Sequence, residues 1–267
     1  MDYKIQNNDI IISQRDFGLD DTLDCGQAFR WTKIADNTYR GFYFNTPLTI
    51  SQEDDGIFRF HNTNEDTFLN IWYDYFDFDT DYNLLKERFS EDETLSEACK
   101  FAGGIRILKQ DSWEALSSFI ISQNNNIPRI KGIINRLCEH YNGYPLPAQM
   151  CDETIESLSY LHSGFRAKYI IDAVNQINTG KIHLKSIADM PIDEARKALM
   201  TIKGVGPKVA ECVLLFGMYR TDAFPVDVWV KRVMERWYPN GLPECVKGYE
   251  GIAQQYLFHY IRNTNLD

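Results

Sequence analysis

Over the first eighty residues, apolar and polar positions change places within short stretches. Thr38 to Tyr43, Pro47 to Gln52 and Ile57 to His61 are rich in threonine and aromatics and are separated by Asn, Asp and Gly, which predicts strands of an antiparallel sheet. The stretch from Trp72 to Tyr82 is aromatic and acidic with no clean period and reads as a junction. From about Leu84 the period becomes helical. Ser112 to Ser122, Pro128 to Tyr141, Arg166 to Thr179 and Pro191 to Met200 carry apolar residues at three- and four-residue spacing, with breaks at Gly103-Gly104, Tyr144 to Pro147 and Gly164. There is no internal repeat. A sheet followed by many helices, without strand–helix alternation, predicts an α+β chain with an N-terminal antiparallel β domain over 1–80 and a mostly helical region over 81–267.

Composition adds bounds to this picture. A chain of 267 residues with 44% hydrophobic content can bury a substantial core. Its longest apolar runs fall far short of the roughly 18 residues that a membrane span needs, and the Met-Asp-Tyr-Lys start lacks an apolar signal segment. A soluble protein of the cytoplasm, with no membrane partner, is the expectation. The six cysteines, Cys25, Cys99, Cys138, Cys151, Cys212 and Cys245, include no C-x-x-C pair, so neither zinc nor an iron–sulfur cluster is indicated and reduced thiols are expected. A formal charge of −10 argues at first sight against nucleic acid. The average conceals an asymmetry, because residues 1–98 hold 8 basic and 21 acidic side chains, which leaves a net of +3 for residues 99–267.

The most informative segment runs from Leu199 to Lys208, Leu-Met-Thr-Ile-Lys-Gly-Val-Gly-Pro-Lys, and joins one helix to the next. Gly204 and Gly206, on either side of Val205, permit positive φ, and Pro207 fits the first position of the following helix. The unpaired N–H groups of such a helix start form a cradle for an anion, with no Cβ at the glycines to obstruct a phosphate. Ordinary helix packing would use the same turn. Lys208, in the first turn, is an unusual choice, since the positive end of the helix dipole disfavours a second positive charge. A neutral, nucleophilic amine requires such a setting. Downstream, Asp227 in Phe224-Pro225-Val226-Asp227-Val228-Trp229 stands where the next helix begins. It reads as an N-cap and also as a carboxylate able to stabilise cationic charge on a sugar as its base departs.

G-V-G-P-K followed by P-V-D resembles the helix-hairpin-helix DNA glycosylase superfamily, whose glycosylase/lyase members carry the lysine. Gly26-Gln27-Ala28-Phe29-Arg30-Trp31, Ser122 to Arg129, Gly164-Phe165-Arg166-Ala167-Lys168-Tyr169 and Gln254 to Phe258 resemble segments of the 8-oxoguanine DNA glycosylases, in that family's order. The resemblance implies double-stranded DNA containing 8-oxoguanine as the partner, no cofactor, a monomer with no obligate protein partner, and two helical subdomains with the active site between them. It implies that Lys208 attacks the anomeric carbon and forms a Schiff base that permits β-elimination, while Asp227 stabilises the oxocarbenium-like transition state. The base would be held by Cys212, Gln254 and Phe258, with the backbone carbonyl of Gly26 accepting from N7–H, which guanine lacks.

Gln254 and Phe258 share a helix face, which suits either an amide and a ring offered to a base or a surface glutamine beside a core phenylalanine. Asn124, Arg129, Phe165 and Arg166 match positions that fill the gap left by a flipped nucleotide and contact the orphaned cytosine. The fork of Arg129 suits that base's acceptor edge. Two positions depart from the pattern. Phe165 stands for a tyrosine, and Trp229 for a histidine that contacts a phosphate, so only an indole N–H remains there. The competing classes are a sister glycosylase for another damaged base, against which Lys208 argues, and a non-catalytic hairpin module, which would not need both Lys208 and Asp227.

Overall fold

The computed structural model describes residues 2–264, and the chain divides into two compact units. The first comprises the residues up to Lys109 together with those from Val226 onward, and the second is Gln110–Pro225.

The first unit is built on a six-stranded antiparallel sheet of β1 Tyr3–Gln6, β2 Asp9–Ser13, β3 Thr32–Ala35, β4 Thr38–Tyr43, β5 Thr46–Asp54 and β6 Ile57–His61, in the order β1-β2-β6-β5-β4-β3. The strands expected over 38–43, 47–52 and 57–61 are present as β4, β5 and β6. Three more lack the alternation that makes a strand legible. In β2 the run Ile10-Ile11-Ile12 masks its period of two, with Ile10 and Ile12 facing the core. The β1–β2 turn at Asn7-Asn8 has left-handed φ at both residues, as a two-residue hairpin requires. β3 is an edge strand exposed along its length, so nothing in its sequence distinguishes two faces.

The stretch read as a junction, Trp72 to Tyr82, begins at the end of a helical segment and continues as turns from Phe76. Glu65–Thr67, Phe68–Trp72 and Tyr73–Tyr75 form one helical segment whose middle is wound as a π turn. Phe68, Trp72, Tyr75, Phe76 and Phe78 pack with Phe17, Trp31, Phe58 and Phe60 in a core of rings on the sheet. The indole of Trp31 donates to the Tyr75 hydroxyl at 2.7 Å. Phe68, Trp72, Tyr75 and Phe76 share one buried face, while Leu69, Asn70 and Asp74 are exposed, and the apolar Leu69, Ile71 and Tyr73 off that face obscure the period in sequence.

Arg106 lies fully buried next to this core. Its guanidinium pairs with Asp16 at 3.0 Å and donates to the carbonyls of Phe76 at 3.0 Å, Thr80 at 2.8 Å and Asp77, with the Tyr82 ring 4.3 Å away. The helices Tyr82–Phe89, Glu93–Phe101, Val228–Trp237 and Glu250–Asn263 complete the unit, and the last packs against both Glu93–Phe101 and Val228–Trp237.

The second unit is helical. Its longer helices are Ser112–Ser122, Ile127–Tyr141, Ala167–Asn178, Ile192–Leu199 and Pro207–Met218, and the first four match the expected spans to within a residue at each end. Asp111 and Asn126 cap their helices, Asp111 accepting from the N–H groups of Trp113 and Glu114 and Asn126 from that of Arg129. Among the described residues no helix is long and apolar enough to cross a membrane, and no group of three or more His, Cys, Asp or Glu is arranged to hold a metal.

Asp16→Asn should cost the first unit about 3 kcal/mol in urea unfolding, because it leaves Arg106 buried without its counter-charge. Replacing Lys100, whose pair with Glu97 is solvated, should leave the curve unchanged.

Candidate active site

The Lys208 hairpin is shaped by a helix earlier in the chain that packs against it. Gly204 takes φ +80°, and a Cβ there would lie 2.4 Å from the ring of Tyr169 on the Ala167–Asn178 helix. Two turns of that helix are therefore committed to the hairpin, since Asp172 also accepts from the backbone N–H of Lys203 at 2.7 Å. Gly206 differs from expectation. Its φ is −94° with ψ −178°, so it serves as an extended N-cap rather than a left-handed residue. Any residue can adopt that backbone, and a Cβ at Gly206 would meet nothing within 4 Å. The space in front of Gly206 is open.

Pro207 occupies the first turn, and no side chain caps this helix, in contrast to those begun by Asp111, Asn126 and Asp227. The N–H groups of Lys208 and Val209 consequently have no hydrogen-bond partner within the unit. Val205 is buried, and its N–H is spent on the Ile202 carbonyl at 3.0 Å. The Lys208 amine stands 5.3 Å from the centre of the Phe119 ring and makes neither an ion pair nor a hydrogen bond within its unit. Phe119 is itself stacked on Phe216 with ring centres 5.4 Å apart. Cys212 is buried one turn further along the same helix.

Asn124, Arg129, Phe165 and Arg166, the residues expected at the gap of a flipped nucleotide and its orphaned partner, lie in the same unit. Asn124 is exposed and holds a left-handed φ of +46° in the turn between two helices. Arg166, expected among the DNA contacts, is buried, and it donates to the Gln123 carbonyl at 2.8 Å, the Asn124 carbonyl at 2.9 Å and the Ser163 carbonyl at 3.0 Å. Burial, reinforced by the like charge of Arg129, lowers its pKa from the ordinary value. Its guanidinium also lies 4.5 Å from the centre of the Phe165 ring. That ring is 46% exposed and meets Tyr169 edge-on, so the projecting aromatic and the hairpin rest on the same tyrosine. Arg129 is exposed close by, with a long contact of 3.5 Å to the His162 carbonyl.

Asp227, Trp229, Gly26, Gln254 and Phe258 belong to the first unit. One oxygen of Asp227 accepts from the N–H groups of both Trp229 and Val230 at 2.9 Å, while the second oxygen has no hydrogen bond within the unit. Trp229 carries the guanidinium of Arg232 over its ring at 4.8 Å. Gly26 has φ +89°. Gln254 is 4% exposed, and its Oε1 is buried with no hydrogen-bond partner. A buried amide oxygen left unpaired costs free energy unless something outside the unit satisfies it. Phe258, one turn on, is half-buried beneath Arg262.

Several supports went unread in the sequence. Asp172 and Phe119 give no signal of their own. Arg106 does, as a lone charge between Ile105 and Ile107-Leu108, and so does Gln255, a second glutamine in an otherwise apolar turn of helix.

A helix-hairpin-helix with an uncapped, lysine-bearing helix start, on a chain that also contains a six-stranded antiparallel sheet, defines a class. Residues 117–244 match the family of HhH-GPD superfamily base excision DNA repair proteins, and residues 9–116 match the 8-oxoguanine DNA glycosylase N-terminal domain. The N-glycosylase/DNA lyase of Saccharomyces cerevisiae is 31% identical over 89% of this chain and 72% of its own. A probable N-glycosylase/DNA lyase of Methanothermobacter thermautotrophicus is 30% identical over 67% and 70%. The 8-oxoguanine glycosylase/lyase of Clostridium acetobutylicum, solved in complex with double-stranded DNA containing cytosine opposite 8-oxoguanine, is 35% identical with a TM-score of 0.89 over all of both chains. The chain belongs to the HhH-GPD superfamily of base excision DNA repair enzymes, in its 8-oxoguanine DNA glycosylase family.

Gly206→Ala should lower stability by less than about 1 kcal/mol in urea unfolding, the difference between Gly and Ala as an N-cap. Gly204→Ala should cost more than that in urea unfolding, through positive φ and the Tyr169 ring together.

Proposed function

We propose that this enzyme excises 8-oxoguanine from double-stranded DNA, with cytosine preferred opposite the lesion, and then cleaves the strand as an AP lyase. The observation that carries the chemistry is the Lys208 amine, which is set in the first turn of an uncapped helix over an aromatic face with no carboxylate paired to it in its unit. Attack by its Nζ on the anomeric carbon forms a C–N bond as the glycosidic bond breaks, and the electron pair leaves with the base. Ring opening gives a protonated Schiff base. Loss of a proton from the adjacent sugar carbon then expels the 3′ phosphate, which completes β-elimination. The second carboxylate oxygen of Asp227 is left to balance positive charge on the sugar as the base departs, and its first oxygen fixes the rotamer by capping a helix.

In this reading the hairpin holds a phosphate at the N–H groups of Lys208 and Val209. Gln254 offers its unpaired amide to the extruded base, Cys212 and Phe258 lie on its faces, and the Gly26 carbonyl accepts from N7–H. Phe165 enters the gap in the stack, with Asn124 and Arg129 facing the orphaned cytosine. Arg166 contributes by holding the Asn124 turn, since three backbone carbonyls already occupy its donors. Trp229 is the weak point for phosphate contact.

Incubation with an 8-oxoguanine:cytosine duplex and borohydride should trap the protein covalently, and Lys208→Gln should abolish the adduct while sparing DNA binding. Excision retained by that variant would mean that water is the nucleophile. Arg129→Ala should flatten the preference for cytosine opposite the lesion, losing about 1–3 kcal/mol of discrimination in single-turnover rates. An unchanged preference would refute its role.

A further inference from the structure

If the Gly26 carbonyl reads the N7 edge of the base, a single proton decides between the lesion and guanine, and the orientation of one peptide decides how that proton is met. A carbonyl oxygen attracts N7–H and repels an N7 lone pair. Turning the peptide over would present an N–H in its place and invert the preference. Glycine is the residue least able to prevent this, and Gly26 sits at φ +89° with no Cβ to restrict its neighbouring torsions.

What holds the turn must therefore come from outside Gly26. On one side Gln27, 1% exposed, donates to the carbonyls of Thr22 at 2.9 Å and Arg106 at 2.8 Å and accepts from the Leu108 N–H at 2.9 Å. On the other side the Cys25 thiol donates to the Thr22 carbonyl at 3.3 Å, and burial pushes its pKa up to about 11, which keeps it a donor. The remaining group is the Cys25 carbonyl, which begins the peptide leading into Gly26. It accepts from Nε2 of Gln255, a residue 2% exposed on the Glu250–Asn263 helix. Successive side chains on a helix point about 100° apart, so Gln255 grips the turn while its neighbour Gln254 keeps its buried amide oxygen unpaired.

We infer that Gln255 is a positioning residue for base discrimination: by holding the Cys25 carbonyl it fixes the peptide entering Gly26 and ties that turn to the helix bearing Gln254. The two groups that would read the base are thereby fixed to one rigid element. This rests on the reading of Gly26 and Gln254 given above.

The test uses the full chain in a Lys208→Gln background, with affinities measured for duplexes carrying 8-oxoguanine, guanine or a stable abasic analogue opposite cytosine. Gln255→Met, of similar length without a donor, should narrow the preference for 8-oxoguanine over guanine by about tenfold, the scale of one buried hydrogen bond lost from the peptide next to the reading group. Binding to the abasic analogue should stay unchanged, while the melting temperature should fall by a few degrees as the buried Cys25 carbonyl loses its donor. Gln255→Glu, which sets a carboxylate against the carbonyl, should narrow the preference as well and guards against a packing defect peculiar to methionine. An undiminished preference in both variants overturns the inference, as does an equal fall in affinity for all three duplexes. Failure of the underlying reading looks different: the Lys208→Gln protein with Gln255 intact would then bind 8-oxoguanine and guanine alike.

Discussion

The guanidinium of Arg106 has no access to water, and the first unit is arranged around satisfying it. An arginine cannot escape burial by losing its proton, so its charge must be met by Asp16 and its remaining donors by carbonyls of the segment from Phe76 to Thr80. Those partners belong to parts of the chain far apart in sequence, and holding them together fixes where the aromatic segment ends and the helical part of the unit begins. The same residue's backbone carries the effect toward the site. Its N–H donates to Thr22 and its carbonyl accepts from Gln27, so the turn at Gly26 is built directly on the strand of chain that Arg106 anchors.

The second unit repeats the device with Arg166. Its donors go to the carbonyls of Gln123, Asn124 and Ser163, so that a turn with an exposed, left-handed asparagine has a rigid base. In both cases a desolvated guanidinium supplies several fixed hydrogen bonds to main-chain oxygens. Each such hydrogen bond removes freedom from the main chain it grips, so the side chains carried on these turns are held in place.

How much of this was legible depended on whether a residue's chemistry or its neighbours set its role. Lys208 and Asp227 stood out because a lysine at a helix start and an acid at the next helix start are local facts, fixed by Gly204 to Pro207 and by Pro225. Gly206 departs from the expected left-handed torsion, since the backbone there is extended and the glycine leaves open the space in front of the helix. The role of Arg166 could not be read from its motif, because exposed and buried arginines look the same in sequence until the carbonyls around them are placed. Gln255 stands out as a polar residue in an apolar turn, but its partner, the Cys25 carbonyl, comes from the other end of the chain and is placed only by the fold.

The sequence by itself determined the α+β class, the strands of the central hairpins, the helices of the second unit and the family to which the chain belongs. These depend on periodicity and on short motifs, which act within a few residues. Tertiary structure decided the rest. It added β1, β2 and β3 to the sheet, ended a helical segment at Tyr75 inside the aperiodic aromatic stretch, brought the last two helices into the unit of the sheet, and turned Arg106, Arg166, Gln27 and Gln255 inward to hold the turns at Gly26 and Asn124. Such roles follow from burial and from unpaired carbonyls contributed by distant segments, and those exist only once the chain has folded.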